Sequence, residues 1–144
     1  MYLPILTSLA LCIVALAALS VKRIPEGKVY SVRRLGGQVA LLTAGTHVVM
    51  PMFERVSHKI DLNGQVLRFD GGTVYWQVLE PERADAVIDR ADEMIRKRAV
   101  DALHDAAMEI ADRRMAGNLL KQTMNGSLRE SGMLVTRVEL DAAA

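Results

Sequence analysis

The segment QVLRFDGGTVYWQVLEPERADAVIDRADEMI, residues 65–95, contains the change of pattern that decides the fold class. Its first part places apolar residues on both sides of Asp70-Gly71-Gly72, which is typical of two strands joined by a turn. From Pro81 the apolar residues recur at intervals of three and four, which puts them on one face of a helix. The segment therefore predicts strands followed by helices, the order of an α+β fold.

The residues before this segment continue the β pattern towards the N-terminus. Asn63-Gly64 is the strongest short hairpin signal in the chain, and it predicts that residues 55–62 pair with residues 65–69. Glycine and proline turns bound the other apolar runs. The predicted strands are 28–34, 38–42, 46–50, 55–62, 65–69 and 73–79, arranged as an antiparallel meander.

The residues after Pro81 predict two helices and a returning strand. An apolar stripe runs from Ala84 to Ile110, and Gly117-Asn118 is expected to break or kink the helix before it continues over residues 119–129. A long stripe can also form a coiled coil, but the apolar heptad positions are not kept past Ile110, which favours packing against the sheet. Gly132 is expected to end the helix in the left-handed conformation, and residues 134–140 alternate as a strand.

Residues 1–21 contain no Asp, Glu, Lys, Arg or His. A helix of this length reaches about 30 Å, the thickness of the hydrocarbon core of a bilayer. Pro4 is compatible with the first turn of such a helix. We therefore predict a membrane anchor over residues 1–23. Its lipid-facing side chains are expected to be Leu3, Ile5, Leu9, Leu11, Ile13, Val14, Leu16 and Leu19.

A cleaved signal peptide is the alternative interpretation of the N-terminal run. The small residues Ala15, Ala17, Ala18 and Ser20 could present a cleavage site, which would release a secreted or periplasmic binding module. Signal peptides, however, begin with positive charge and carry a shorter apolar run, whereas here the cations follow the run. By the positive-inside rule, these cations favour a single-pass protein with its domain on the cytoplasmic side.

Composition limits the function classes of the remaining chain. Residues 24–140 are predicted to form one domain and residues 141–144 a short tail. The 18 basic residues nearly balance the 17 acidic ones, so no basic excess favours nucleic acid as a partner. The single cysteine, Cys12, lies within the apolar run and indicates no redox compartment.

No motif in the sequence predicts catalysis. His47 is the best candidate base, but no Cys, Ser or carboxylate accompanies it at a catalytic spacing, and a packing or hydrogen-bonding role is favoured. The three histidines lack the spacing of metal ligands, and the glycine pairs lack the Lys-Ser/Thr of a phosphate loop. We expect a protein that is not an enzyme and that has no cofactor and no metal site.

Two further groups of residues point to the membrane. Lys22, Arg23 and Lys28 follow the anchor and could contact an anionic bilayer surface. An apolar lip, defined here as residues 49–53, could dip into the membrane interface; its members are Val49, Met50, Pro51, Met52 and Phe53. The alternative is that these side chains fill the core of the sheet.

Ile24-Pro25-Glu26-Gly27 is followed by Val29-Tyr30-Ser31-Val32 and Arg34-Leu35-Gly36. The order of these motifs resembles the segment that follows the membrane anchor in the stomatin/prohibitin family, whose common domain is called SPFH or band 7. The stretch AGTHVVMPMFERV, residues 44–56, is similar to the family signature Pro-Gly-Leu-His-Phe-x-x-Pro-Phe-x-Asp-Arg-Val.

Two later motifs extend the resemblance to residue 140. Val74-Tyr75-Trp76-Gln77-Val78 with Glu80-Pro81 resembles a strand of the family and the start of the helix after it, and residues 134–140 resemble its closing strand. The resemblance implies a short form that lacks the family's C-terminal coiled coil. It also implies a scaffold or regulator at the membrane that binds copies of itself, related SPFH-family subunits, or a membrane protease or channel.

Overall fold

The computed structural model describes residues 2–107 and 112–141. The chain divides into two compact units, with Lys59 as the last residue of the first and Ile60 as the first of the second. The predicted α+β class is confirmed, as are antiparallel strands and an apolar N-terminal helix. The strands form three small sheets and not one continuous meander.

The first unit begins with helix α1, Leu3–Ser20, whose first turn contains Pro4. Strand β1, Val21–Ile24, follows without any intervening residue. The helix therefore ends three residues before the predicted end of the anchor at Arg23. Strand β1 was not predicted because Lys22 and Arg23 were interpreted as the charged end of a membrane helix, and four residues are too few to show the alternation of a strand.

Four more strands complete the sheets of the first unit. Strand β2, Lys28–Arg34, lies between β3, Val39–Leu42, and β5, Glu54–Asp61, whose last two residues belong to the second unit. Strand β4, Gly45–Val48, pairs with β1 in an antiparallel ladder. The buried apolar residues of this unit are Ile24, Val29, Val32 and Val49.

The second unit is built on a sheet of three strands in the order β6-β7-β8. Strand β6 is Gln65–Phe69, β7 is Gly72–Val78 and β8 is Met133–Leu140. Alternate residues of β7 are buried, and Trp76 lies at the centre of the core. One face of this sheet therefore carries the core, while the other carries polar side chains.

The predicted hairpin at Asn63-Gly64 is wrong. Strand β5 lies beside β2, and β6 pairs with β7 instead. Asn63 donates both its backbone N–H and its side-chain amide to Asp61 Oδ1, at 3.0 and 2.8 Å. This local bonding gives Asn63 an alternative to a hairpin turn, which is why the sequence signal misleads.

The helical stripe after Pro81 is interrupted, although one continuous helix was expected. Helix α2 is Pro81–Ala84, a 3₁₀ turn covers Ile88–Arg90, and α3 is Ala91–Ala107. Val87 has φ −126° and ψ −2°, outside the helical region. Val87 and Ile88 are β-branched, which weakens the helix at this point. The predicted end of the stripe, Ile110, lies outside the described residues.

Helix α4, Arg113–Leu128, runs through Gly117-Asn118 without interruption, so the helix does not break there. The helix instead begins at Asp112, whose side chain accepts a hydrogen bond from the Arg114 N–H at 3.0 Å. A Cβ at Gly117 would lie 3.2 Å from the Val138 carbonyl oxygen. Gly117 therefore allows α4 to approach β8 closely.

Asn125 also ties α4 to strand β8. Its Oδ1 accepts from the Val135 N–H at 2.7 Å, and its Nδ2 donates to the Val135 carbonyl at 3.0 Å. The amide thus satisfies backbone groups of a strand at the end of the sheet order. Helix α4 and strand β8 are joined by a 3₁₀ turn, Arg129–Ser131, and by Gly132, which has the predicted left-handed conformation at φ 70°.

Candidate membrane-contacting site

Helix α1 has no buried residue within the described structure. It is an 18-residue helix that is long and apolar enough to cross a membrane by length and composition. An all-apolar helix whose whole circumference is exposed to water is unfavourable, since such helices belong in a core or in lipid. All eight predicted lipid-facing side chains are exposed: Leu3, Ile5, Leu9, Leu11, Ile13, Val14, Leu16 and Leu19.

Two hydroxyl groups of α1 are satisfied inside the helix. Thr7 Oγ1 donates to the Pro4 carbonyl at 3.0 Å, and Ser20 Oγ donates to the Leu16 carbonyl at 2.7 Å. Such bonds to the preceding turn lower the free energy needed to place a hydroxyl in a medium without water. These two residues are thus compatible with a helix surrounded by hydrocarbon.

The end of α1 is joined directly to the strand that precedes the lip. The Ser20 carbonyl accepts a hydrogen bond from the Val49 N–H at 2.8 Å. Val21 is the register partner of Val48 in the β1–β4 ladder. Because these bonds leave no flexible linker, the lip lies beside the last turn of the helix.

The lip divides into one buried residue and four exposed ones. Val49 is 5% exposed, whereas Met50, Met52 and Phe53 are 58%, 75% and 55% exposed, and Pro51 is exposed as well. The alternative that these side chains fill the core of the sheet therefore holds for Val49 only. The other four form an apolar surface next to the end of α1.

Glu54 and Arg34 hold the backbone of the lip in place. Glu54 Oε2 accepts from the Met50 N–H at 3.2 Å, and its Oε1 accepts from Arg34 Nε at 2.7 Å. The Glu54 N–H donates to the Met50 carbonyl at 2.8 Å, which closes the turn. The apolar side chains are thus presented by an ordered loop.

Leu35 belongs to the same surface and was missed from the sequence as a site residue. Its N–H donates to the Phe53 carbonyl at 2.8 Å, and its side chain is 78% exposed. Val48, also exposed, adjoins the lip through the strand. An apolar residue within the turn Arg34-Leu35-Gly36, where polar residues are usual, was the signal that could have identified Leu35.

The predicted surface cations lie on two strands of the same unit. Lys22 and Arg23 are exposed in β1, immediately after the helix, and their register partners are His47 and Thr46. Successive strand residues point to opposite faces, so the two cations lie on opposite faces of the β1–β4 ladder. Lys28 is half-buried at the start of β2.

His47 occupies a hydrogen-bonding position. Its Nε2 lies 2.9 Å from the Thr43 carbonyl oxygen, within a turn of the first unit. Over residues 2–107 and 112–141, no group of three or more His, Cys, Asp or Glu side chains could hold a metal ion. The features that distinguish the first unit are therefore the exposed helix, the lip and the adjacent cations.

No protein-family model matches this chain. Its resemblance to stomatin and prohibitin stays a prediction from sequence motifs. The structural features that bear on function are therefore the exposed helix α1, strand β1 and the lip.

Proposed function

We propose that this protein is a membrane-anchored, non-enzymatic scaffold or regulator of the stomatin/prohibitin type, with an SPFH-like domain at the bilayer surface. The observation that carries the proposal is α1, a helix without charge in which the described chain buries no residue. Transfer of such a helix into lipid is favourable, since Leu, Ile and Val each contribute about 0.3–0.6 kcal/mol on an insertion scale. The bilayer is the first partner.

The cations after α1 support an orientation with the domain on the cytoplasmic side. Lys22, Arg23 and Lys28 lie within eight residues of the helix end at Ser20. Basic residues this close to a span favour the cytoplasmic face, and each adds about 1 kcal/mol of attraction to an anionic leaflet. The exposed lip, fixed beside the same helix end, then enters the interface between headgroups and acyl chains.

Anchoring to a membrane favours contacts between neighbouring domains, which is how a scaffold would act. A domain confined to a surface meets other anchored domains at a raised effective concentration, so weak lateral contacts become populated. By the resemblance, these contacts form between copies of the chain or with related SPFH-family subunits. A membrane protease or channel is the further kind of partner that the resemblance implies.

The anchor is tested by charge placed in α1. We expect the full chain to stay in the membrane pellet after carbonate washing, and the variant Leu9→Lys/Ile13→Lys to be released. Each lysine near the centre of a span opposes insertion by about 2.5–3.5 kcal/mol. The matched control, Thr43→Lys/Ser57→Lys, adds the same charge at exposed positions outside α1 and should remain in the pellet.

The same preparation separates an anchor from a cleaved signal. N-terminal sequencing of the membrane-bound protein should find Met1 or the residue after it. A mature start near Val21, or recovery of the unaltered chain in the soluble fraction, contradicts the proposal. The first of these outcomes favours the secreted or periplasmic module.

The position of the lip is tested by a fluorescent label in reconstituted vesicles. In a Cys12→Ala background, which lacks cysteine, an environment-sensitive probe is attached at Met52→Cys. We expect blue-shifted emission and quenching by lipid-borne quenchers, because an exposed apolar surface at the helix end favours the interface. The control label at Glu26→Cys, an exposed position after β1, should be quenched several-fold less. Equal quenching at both positions contradicts interfacial insertion of the lip.

A further inference from the structure

A broad groove of about 950 Å³ lies in the second unit, between the N-terminal half of α4 and the outer face of the sheet. Its helix wall includes Arg113, Arg114 and Lys121, and its sheet wall includes Arg68 and Arg137. These five cations face two carboxylates in the lining, Glu139 and Asp141. The groove therefore carries a net positive charge in a chain whose formal net charge is only +1.

The register of the sheet explains how its wall is assembled. Val66, Tyr75 and Arg137 are register partners across β6, β7 and β8, and Arg68, Thr73 and Glu139 form the next row. Residues in these rows point to the same face, opposite to the core residues Val74 and Trp76. Two rows of three side chains thus form a continuous floor, and all of them except Val66 carry polar groups.

The carboxylate on this floor is already neutralised. Glu139 Oε1 lies 2.6 Å from Arg137 Nη2, and Glu139 Oε2 accepts a hydrogen bond from the Tyr75 hydroxyl at 3.2 Å. The Arg137 guanidinium also lies 6.0 Å from the centre of the Tyr75 ring. By contrast, Arg68, Arg113, Arg114 and Lys121 have no ion-pair partner within the described part of the chain.

We propose that this basic groove binds an extended acidic segment of a partner protein. The site lies in the second unit, whereas α1 and the lip belong to the first. This proposal rests on the proposed scaffold function, because a scaffold needs a surface that recognises its partner protein. The partner segment that fits the groove is rich in Asp and Glu.

The spread of the cations favours an extended segment over a single small anion. Arg113 and Lys121 are eight residues apart on α4, a rise of about 12 Å along the helix axis. Arg68 lies on a different strand of the opposite wall. Donors that are distributed in this way match carboxylates at successive positions of a chain, whereas a phosphate requires donors that converge on one point.

An exposed apolar side chain among the cations supports the same choice. Val66 is 60% exposed on the floor, whereas the half-buried Val138 and Leu140 of the lining pack against the core. An acidic segment with small apolar residues between its carboxylates contacts both kinds of surface. Tyr75 is the one aromatic residue in the lining, so a stacking platform for successive bases is absent from the described groove.

The test measures binding of two labelled ten-residue peptides to the full chain in nanodiscs of neutral phosphatidylcholine. The acidic probe alternates Glu and Ala, and the basic probe alternates Lys and Ala. We expect saturable binding of the acidic probe alone, with an affinity that falls as salt is raised. The variant Arg114→Glu/Lys121→Glu should bind at least about tenfold more weakly, because it places like charges against the probe.

Matched variants make the result specific to the groove. Arg96→Glu/Lys97→Glu changes the net charge equally on the exposed side of α3 and should bind the acidic probe as the unaltered chain does. Lys121→Gln removes one cation without reversing it and should weaken binding about threefold. Unchanged Trp76 fluorescence verifies that each variant is folded.

Several outcomes overturn the inference. Equal binding by the groove variant and its α3 control places the site elsewhere. Tighter binding of a ten-nucleotide single-stranded DNA identifies a nucleic-acid surface, and displacement of the probe by millimolar inorganic phosphate identifies a simple anion site. Carbonate washing does not involve the groove, so failure of the peptide assay and failure of the anchor are distinguishable.

Discussion

Replacing Gly132 with alanine is expected to lower the free energy of unfolding by about 2–4 kcal/mol. Gly132 has φ 70°, a backbone conformation that residues with a Cβ rarely adopt. A Cβ there would also overlap the Glu80 carbonyl oxygen and crowd the Arg83 side chain. The Gly132 carbonyl accepts hydrogen bonds from the Leu79 and Glu80 N–H groups at 2.9 and 3.0 Å, so any displacement of this residue weakens those bonds as well.

Urea unfolding of the full chain in mild detergent measures the effect. Trp76 is the only tryptophan and lies in the core of the second unit, so its fluorescence reports unfolding of that unit. Gly126→Ala is the matched control, because a Cβ added at this position of α4 would meet no atom within 4 Å beyond its own helix backbone. Since alanine favours helix, the control should be more stable by about 0.5–1 kcal/mol. A midpoint for Gly132→Ala equal to that of the unaltered chain contradicts the assigned conformation.

The features that the sequence predicted are those decided by neighbours along the chain. Gly132 comes directly after the 3₁₀ turn that ends α4, and a left-handed glycine is a usual end of a helix. Strand β7 shows its alternation within seven residues, and the period changes at Pro81, where α2 begins. Local preference and tertiary packing agree at these positions, so the prediction follows from local pattern alone.

The features that it missed depend on residues far apart in the sequence. Gly117 reads as a helix breaker, but its role is to admit the carbonyl of Val138, a contact that no local pattern contains. Strand β1 exists because it pairs with β4, more than twenty residues later. Asn63-Gly64 signals a hairpin in the sequence, yet the strands on its two sides pair with other strands.

The candidate sites likewise differ in whether their residues are neighbours in the sequence. The proposed anchor and the lip are each continuous in sequence, so composition and length predict them. The basic groove brings together residues of β6, β7, α4 and β8, which span positions 66–141. Along the chain, basic and acidic residues occur in nearly equal numbers, so the sequence shows no basic cluster. The fold brings the cations of the groove onto one surface.

The second large effect is expected for Trp76→Ala, which should lower the free energy of unfolding by about 3–5 kcal/mol. Trp76 is 2% exposed in the central strand β7, between Gln65 on β6 and Val135 on β8. Its removal leaves a large cavity at the centre of the unit, and typical domains have only about 5–15 kcal/mol of total stability. Val66→Ala, on the exposed face of the neighbouring strand, is the control and should change stability by about 0.5 kcal/mol or less.

Far-UV circular dichroism follows urea unfolding for this pair, since the Trp76 variant has no tryptophan fluorescence. The variant also separates attachment to the membrane from folding of the second unit. Helix α1 belongs to the first unit, and its preference for lipid comes from its own side chains and not from Trp76. In urea between the midpoints of the variant and the unaltered chain, the variant should lose binding of the acidic peptide, because the groove exists only when β6, β7, β8 and α4 are assembled. The variant should still resist carbonate extraction. Loss of both properties together would show that attachment depends on the folded second unit and would contradict an autonomous anchor.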